Sequence, residues 1–561
     1  MIDKDRATLQ LIGNSLLYAS EEMGLALRDA AYSPNIKERM DHSAALFDRE
    51  GRLLAQAEHI PVHLGSLPWG LGNMLRECRR EGLELEDGSM VFSNDPYMTG
   101  THLNDVTVLA PVYAGGEVIA YAVNKAHHAD VGGKVPGSIS SELGTLFEEG
   151  VVIEPSLLRK GSEILDGAVE RLARASRTPR ERRGDLKAQV AANVRGTRRV
   201  KELISKHGLE TFELAAAEAF RHSETQARAR LSNLTAGVYS ATDFIEAPDG
   251  GDLELRAKVS VSKEGVSVDY TGTHAEVDFP LNAVFGVTLS GAYFVLRCVL
   301  GEGIAANHGA FSMLSVSAPR GCLLNPTRPH PVGGGNVETS QRNADVLFRA
   351  LAKSAPSIIP AAAGGSMNNV LVGGGFRGRR WTFYETNGVG TGGTAEMDGI
   401  DGIQCNMTNT LNTPIEELEQ SYPIRLTRYE FRPDSCGRGR HRGGCGLVRG
   451  FMALADDTTF TVVADREKHR PWGLFGGGEG AGTKVVLLKG GRPAYIPSKS
   501  SHTLQAGDVV EIWTAGGGGY GRPDERKTSA VKADVENGLV SPAQAAKDYG
   551  GRAPARPRKA A

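Results

Sequence analysis

The chain has 561 residues, with 64 Lys and Arg against 66 Asp and Glu, a formal charge of −2. With 40% hydrophobic and 23% charged residues, it is no mainly disordered chain, and its charge balance argues against nucleic acid or an anionic membrane as partner. Glycine is the outlier, 70 residues or about 12% against an average near 7%, without the triplet period of collagen.

The glycine excess lies in runs at 333–335, 373–375, 476–478 and 516–519, where tight turns and close backbone approaches are expected. Six scattered cysteines without a CxxC pair, and an N-terminus without a basic region before an apolar core, point to a reduced cytoplasmic protein without a signal peptide. The longest uncharged stretch, 355–376, is broken by Pro360 and two glycine clusters, so no membrane span is expected.

In chain order, Leu9, Ile12, Leu16, Ala19, Met23, Ala26 and Ala30 recur in steps of three and four, which predicts an amphipathic helix over 3–31. SAALFD and RLLAQA flank Arg49–Gly51 as a hairpin. VTVLAPVYA (106–114) and EVIAYAVNK (117–125) flank Gly115-Gly116 as a second one. Residues 163–233 read as helical. Within them, 174–201 hold ten Arg and Lys against Glu181 and Asp185, either a solvated face or a contact with a partner subunit. Strands follow from about 238, helices near 284–299 and 338–354, then strands and Gly-rich turns through AGGGGYG (515–521). A short helical segment and a disordered RAPARPRKAA close the chain.

The fold class is α+β, a mixed multi-layer protein with an N-terminal α/β hairpin-containing region and a β-rich C-terminal part. The expected divisions are 1–160, 161–236 (helical), 237–525 (β-rich) and 526–561 (helical segment and tail).

The second hairpin carries the chemistry. With a two-residue turn at Gly115-Gly116, paired residue numbers sum to 231, so 104 faces 127 and 102 faces 129. His102 and Asp105 thereby meet His127, His128 and Asp130 at one end of the hairpin. Two imidazoles with carboxylates suit zinc, manganese or iron, or else are hydrogen-bonded histidines of a polar loop. Strand alternation does not choose between His127 and His128, because a one-residue slip exchanges their faces. His59 and His63, spaced by four around Pro61, read as loop or pocket residues. VGGGNVETSQRNADVLFRAL (332–351) runs from glycines into a helix start with Asn336, Thr339 or Ser340 as candidate caps, either an anion site or an ordinary capped helix. GVGTGG (388–393) lacks a following amphipathic helix, GEGAGTKV (478–485) is no P-loop, and GxSxG is absent. ATP, if used, is expected through a partner.

NIKERMDHSAALFD (35–48), AEHIPVHLGS (57–66), SNDPYMTGTHLNDVTVLAPV (93–112), KAHHADVGGKVPGSIS (125–140), FEEG (147–150), GDLKAQVAAN (184–193), NPTRPHPVGGGNVETSQR (325–342) and GGGGYGRP (516–523) resemble the hydantoinase B/oxoprolinase family. That family includes the B subunit of ATP-dependent N-methylhydantoinase, 5-oxoprolinases and related ketone carboxylases. The resemblance implies a catalytic subunit that opens a hydantoin, oxoproline or related lactam ring by metal-activated water, after a hydantoinase A-type ATPase subunit has used ATP to phosphorylate the ring carbonyl. It implies a hetero-oligomer and a divalent metal, zinc or manganese. The metal ligands fall on His102, Asp105 and His127, with Asp41 as a further ligand or as general base. His128, Asp130 and Glu149 become supporting or acid–base groups, or residues bonded locally within their loop. His42 stands where many relatives carry an aromatic residue. Two alternatives remain: a subunit of an ATP-dependent ketone carboxylase, and a non-catalytic assembly subunit with a vestigial metal site.

Overall fold

The computed structural model describes residues 6–57 and 59–550 and has the mixed α+β architecture expected. Its N-terminal part is built on a seven-stranded sheet in the order β2-β1-β5-β4-β3-β6-β7, every pair antiparallel. The strands are β1 (His42–Asp48), β2 (Leu53–Ala57), β3 (Met90–Ser93), β4 (Asp105–Ala114), β5 (Glu117–His127), β6 (Ser156–Lys160) and β7 (Glu163–Ile164). Both expected hairpins are present, β1–β2 and β4–β5, and β1 lies along β5 at the centre of the sheet.

Two helices cover one face of this sheet. α1 (Arg6–Ala30) buries Ile12, Leu16, Ala19, Met23 and Leu27. The 3.6-residue period carries the buried stripe from Met23 to Leu27, and Ala30 is exposed. Residues 3–5 of the predicted helix lie outside the described residues, as does the RAPARPRKAA tail. The second helix, Pro179–His207, holds most of the basic run. Its outer face is charged, but Arg182 is fully buried and paired with Asp185 at 3.0 Å.

The inner face of that helix explains GDLKAQVAAN. Asp185, Gln189 and Asn193, four residues apart, lie in one row over the sheet. Asp185 accepts the amides of Tyr32 and Ser33, at 2.9 and 3.0 Å. Gln189 Nε2 donates to Val106 O and Asn124 Oδ1, and Asn193 Nδ2 donates to Val108 O. Buried amides with every bond made fix the helix to the β4–β5 hairpin in one register.

The opposite face of the sheet joins the largest buried apolar cluster, which runs from Ala45 to Trp472 and takes in the Phe285–Leu300 and Ser340–Leu351 helices. Three further sheets follow. The first is β11-β10-β9-β8, from β8 (Gly237–Glu246), β9 (Asp252–Val261), β10 (Val266–Asp269) and β11 (Leu314–Ser317). The second is β13-β12-β16-β19 and the third β14-β15-β20-β17-β18. They are formed by β12 (Asn369–Phe376), β13 (Arg379–Glu385), β14 (Ile424–Phe431), β15 (Leu447–Ala453), β16 (Thr458–Val463), β17 (Lys484–Lys489), β18 (Arg492–Ile496), β19 (Lys499–Leu504) and β20 (Val509–Trp513).

The run at 516–519 is not a set of exposed turns. These glycines are buried and press backbone on backbone; a Cβ on Gly517 would lie 1.9 Å from Thr391 O. All six cysteines are free, and among the described residues no helix is long and apolar enough to cross a membrane.

Candidate active site

The β4–β5 hairpin brings the His and Asp clusters together one residue out of the register expected. Ala114 faces Glu117 and Tyr113 faces Val118, but beyond Tyr113 the pairing shifts. Val112 faces Ala120, Ile119 is left without a partner, and Asp105 ends opposite His127. An extra residue in one strand is a β-bulge, and here it resolves the choice between the histidines. Directly opposed residues share a face, so Asp105 and His127 look the same way and His128 looks the other.

His102 sits in the turn before β4, where its carbonyl accepts the Asp105 amide at 3.0 Å. His102 Nε2 lies 3.1 Å from His127 Nδ1 and 3.2 Å from Asp105 Oδ1, and His127 Nδ1 lies 3.3 Å from the same oxygen. Asp41 precedes β1, and its carbonyl accepts the His127 amide at 3.0 Å. Its Oδ2 stands 4.0 Å from His127 Nδ1. All four residues are at most 8% exposed.

These residues fit a divalent metal. Nitrogen and oxygen donors about 2.0–2.1 Å from one ion lie roughly 2.9–3.4 Å apart, and the three edges of the triangle fall in that range. Among the described residues, His102, Asp105 and His127 are the one cluster of this kind. The Oδ2 of Asp105 and the Nδ1 of His102 are buried without a hydrogen-bond partner. Two imidazoles and a carboxylate suit zinc and manganese alike.

Around the triangle stand residues that hold its members in place. His63 Nε2 is 3.4 Å from Asp105 Oδ2, and His63 Nδ1 is 2.9 Å from Ser43 Oγ. Tyr384 stacks on the His127 ring with centroids 4.6 Å apart, and the Arg39 guanidinium lies over the Tyr384 ring, 4.8 Å from its centroid. Asn35 donates to His127 O at 2.8 Å. Lys125, two residues before His127 on the same face, donates to Thr99 O, Thr101 Oγ1 and Ser66 Oγ, and so fixes the loop that carries His102.

Burial raises the Asp41 carboxyl above its ordinary value, and His127 and Arg39 only partly offset it. Burial also pushes Asp105 upward, but His102, His127 and His63 outweigh it and hold that carboxyl well below the usual range. His63 and His127 are both lowered by burial. Asp105 is thereby held ionised, and burial disfavours the charged forms of His63 and His127, as metal ligation requires.

The remaining candidates lie elsewhere. His128 faces the Pro179–His207 helix, where its Nε2 meets Gln189 Oε1 at 3.0 Å, and burial brings its pKa to about 4. Asp130 pairs with Arg177 at 2.8 Å and accepts the amides of Gly132, Gly137 and Arg177. Glu149 Oε1 accepts the amides of Val332 and Gly333 at 2.9 and 2.7 Å, its Oε2 is without a partner, and burial raises its pKa to about 7. Of the amides at the start of the 332–340 segment, those of Val332 and Gly333 are thus taken by a carboxyl group of the chain itself.

Arg39, Ser43, Lys125 and Tyr384 were not foreseen. Ser43 and Lys125 carry a signal, since both alternate in phase with His127 on paired strands. Arg39 stands two residues before Asp41, and Tyr384 carries no signal, because long-range packing alone places it.

A small cavity opens beside the triangle, bounded by Asp41, His63, Asp105 and His127 on one side and by Asn336, Met367, Tyr384 and Met407 on the other.

The sequence matches the hydantoinase B/oxoprolinase family over residues 5–523. An uncharacterized protein of Methanocaldococcus jannaschii is 43% identical over 545 residues, covering 97% of this chain and 96% of that protein. The 5-oxoprolinase 1 of Arabidopsis thaliana is 34% identical over 92% of this chain, which spans only 42% of that longer protein. Among solved structures, an ATP-dependent caprolactamase from Pseudomonas jessenii superposes with a TM-score of 0.90 at 29% identity, covering 98% of this chain and 96% of that one. Full-length agreement in sequence and fold has one reading: the chain belongs to the hydantoinase B/oxoprolinase family.

Proposed function

We propose that this chain is the ring-opening subunit of an ATP-dependent cyclic amidohydrolase, acting on a hydantoin, oxoproline or related lactam activated by an A-type ATPase subunit. The observation that carries this reading is the buried triangle of His102, Asp105 and His127 with Asp41 beside it. Its setting supports the reading, since relatives are named for 5-oxoprolinase and a structural neighbour for caprolactamase activity, both on cyclic amides. The chain carries neither a P-loop nor a dinucleotide fingerprint, and the 5-oxoprolinase extends well beyond the part it matches. A separate ATP-using subunit fits both facts.

A resonance-stabilised ring amide resists water at neutral pH, so the site has to supply a stronger nucleophile. His102, Asp105 and His127 would hold zinc or manganese, which would supply a bound water of pKa lowered toward about 7. The chain's own residues do the rest. Asp41 Oδ2 stands outside the 3.1–3.3 Å triangle, and its raised pKa suits a proton acceptor better than a ligand. Ser43 and His63 orient Asp105; Asn35 and Tyr384 orient His127. The apolar side chains of Ile60, Val62, Met367 and Met407 line the small cavity beside the triangle and limit the access of bulk water to it. His128 and Asp130 hold the loop after β5 against the Pro179–His207 helix.

Ring opening by the purified chain with an A-type subunit and ATP tests the proposal, with His102→Ala and His127→Ala alongside. Loss of both activity and bound metal in the variants is expected. Unchanged activity in either variant refutes the site, and turnover that depends on bicarbonate makes the enzyme a carboxylase.

A further inference from the structure

Residues 386–414, between β13 and the Ile415–Ser421 helix, contain neither a helix nor a strand of a sheet. Connections longer than about 12–15 residues are uncommon in compact domains and are as a rule functional. The inner side of this one walls the metal site. Thr386, Met407 and Thr408 line the cavity beside the triangle. Arg39, whose guanidinium lies over Tyr384, donates from Nη2 to Thr386 Oγ1 and Thr410 Oγ1 at 3.0 and 3.2 Å, and its carbonyl accepts the Leu411 amide at 3.2 Å.

The outer side of the same segment is apolar and exposed. Tyr429 and Phe431 point to one face of β14, an edge strand of its sheet. A Cβ on Gly402 would lie 2.7 Å from the Phe431 ring, and Tyr429 Oη donates to Asn412 Oδ1 at 3.0 Å. Ile403, Phe431, Tyr429 and Leu411 therefore form one row, with Ile400 and Ile415 near its ends, and each of the six is 37–56% exposed. At roughly 200 Å² for a whole large side chain, the row presents roughly 500 Å² of apolar surface. The largest such patch on a monomer is about 300–600 Å² and is often functional, and with a polar rim this one approaches the about 800 Å² that each partner buries in a stable complex.

Charge narrows the choice of partner. Residues 386–421 carry six carboxylates, Glu396, Asp398, Asp401, Glu416, Glu417 and Glu419, and no Lys, Arg or His. Asp398 and Asp401 pair with Arg526 and Arg442, while Glu396 and Glu416 are exposed at the rim. A second copy of the chain would set acid against acid across a two-fold axis. The face fits instead a different protein, with an apolar surface rimmed by basic groups. The cyclic-amide reading supplies one: an ATPase subunit that hands over a phosphorylated ring, which water destroys, to a site whose cavity alone has room for about one water. We propose that the row Ile403, Leu411, Tyr429 and Phe431 with its acidic rim is the docking surface for the A-type ATPase subunit, which thereby seats against the wall that Thr386, Met407 and Thr408 form on the inside. This assignment rests on the cyclic-amide reading above.

The test uses the full chain and its A-type subunit, with binding measured by titration calorimetry and sedimentation, independently of turnover. Leu411→Lys and Phe431→Lys should each raise Kd at least about tenfold, while Leu411→Met leaves it at the wild-type value. Tyr18→Asp, on the outer side of α1 where Tyr18 is 69% exposed, should change nothing. Metal content and the thermal midpoint of each variant alone should match wild type, since the replaced side chains lie at the surface. Binding unchanged in both Lys variants overturns the assignment, as does binding lost in Tyr18→Asp alone. A wild-type chain that pairs with itself, and that Leu411→Lys separates while the ATPase still binds, gives the face to a second copy and overturns the assignment as well. The two readings fail separately: a wild-type complex that holds together but opens no ring with ATP refutes the cyclic-amide reading, and the loss of binding in the Lys variants still places the ATPase on this face.

Discussion

Replacing Glu149 by Gln should make the protein more stable at high pH and leave it unchanged at low pH. Glu149 is fully buried, and burial raises its pKa from 4.5 to about 7. The folded state therefore holds this proton more tightly than the unfolded chain does. Its contribution is fully present below pH 4.5 and is lost as the pH rises to about 7. At 1.36 kcal/mol for each pH unit, the loss amounts to about 3 kcal/mol. Gln at this position keeps the bonds from Val332 and Gly333 through its own Oε1, and its amino group replaces the Oε2 that has no partner. The variant cannot ionise, so it escapes the loss. For a chain of this length the unfolding entropy is about 1.2 kcal/mol/K, so the shift in midpoint is about 3 °C. Thermal unfolding at pH 4.5 and pH 8 should show wild type falling about 3 °C further than Glu149→Gln. Other buried carboxyls, such as Glu338 and Asp345, titrate equally in both proteins and cancel in the difference. An identical pH dependence in the two proteins would refute the reasoning.

Two further substitutions probe the supports of the site. His63→Ala removes the imidazole beside Asp105 Oδ2 and should weaken metal affinity about 10–100-fold without abolishing it, measured by competition with a chelator; unchanged affinity would show that His63 does not orient Asp105. Gln189→Leu leaves Asn124 Oδ1 without its Gln189 donor and takes away the His128 Nε2 partner, and at about 1–3 kcal/mol for each buried group should cost about 2–6 kcal/mol. A lower urea midpoint with faster hydrogen exchange across 105–127 is expected, and a loss below about 1 kcal/mol would mean that the Gln189 bonds do not hold the helix to the hairpin.

Much of the N-terminal layer is legible in the sequence because its signals are local. The steps of three and four in α1 and the alternation on either side of Gly115-Gly116 each follow from one element's own burial. The meeting of His102 and Asp105 with His127 follows from the hairpin alone. The register does not, because the alternation of neither strand marks the bulge at Ile119. The row Asp185, Gln189 and Asn193 has helical spacing but is hidden among arginines that dominate the composition of the same helix. Asn336 and Tyr384 reach the site from elements remote in the chain, and no spacing between them records that they converge. The glycine run at 516–519 is legible only as an alternative, tight turns or close backbone approaches, and the structure uses it for close approaches, since a residue without a side chain serves both equally well.

The bulge also acts as a vernier between the two ends of the hairpin. Asp105 is eight residues from Tyr113, about 27 Å along the strand, yet the pairing at that distance decides which histidine meets it. Ile119 is the residue of the inner hairpin that has no partner across the ladder. Its deletion therefore closes the bulge and leaves Asp105 opposite His127. Deletion of a residue of the opposite strand, such as Ala110, adds to the mismatch that the bulge already absorbs, drives the arms one step out of phase and turns Asp105 away from that imidazole. Gains and losses of single residues far from the metal ligands, more than substitutions beside them, are the changes that would rewrite this centre.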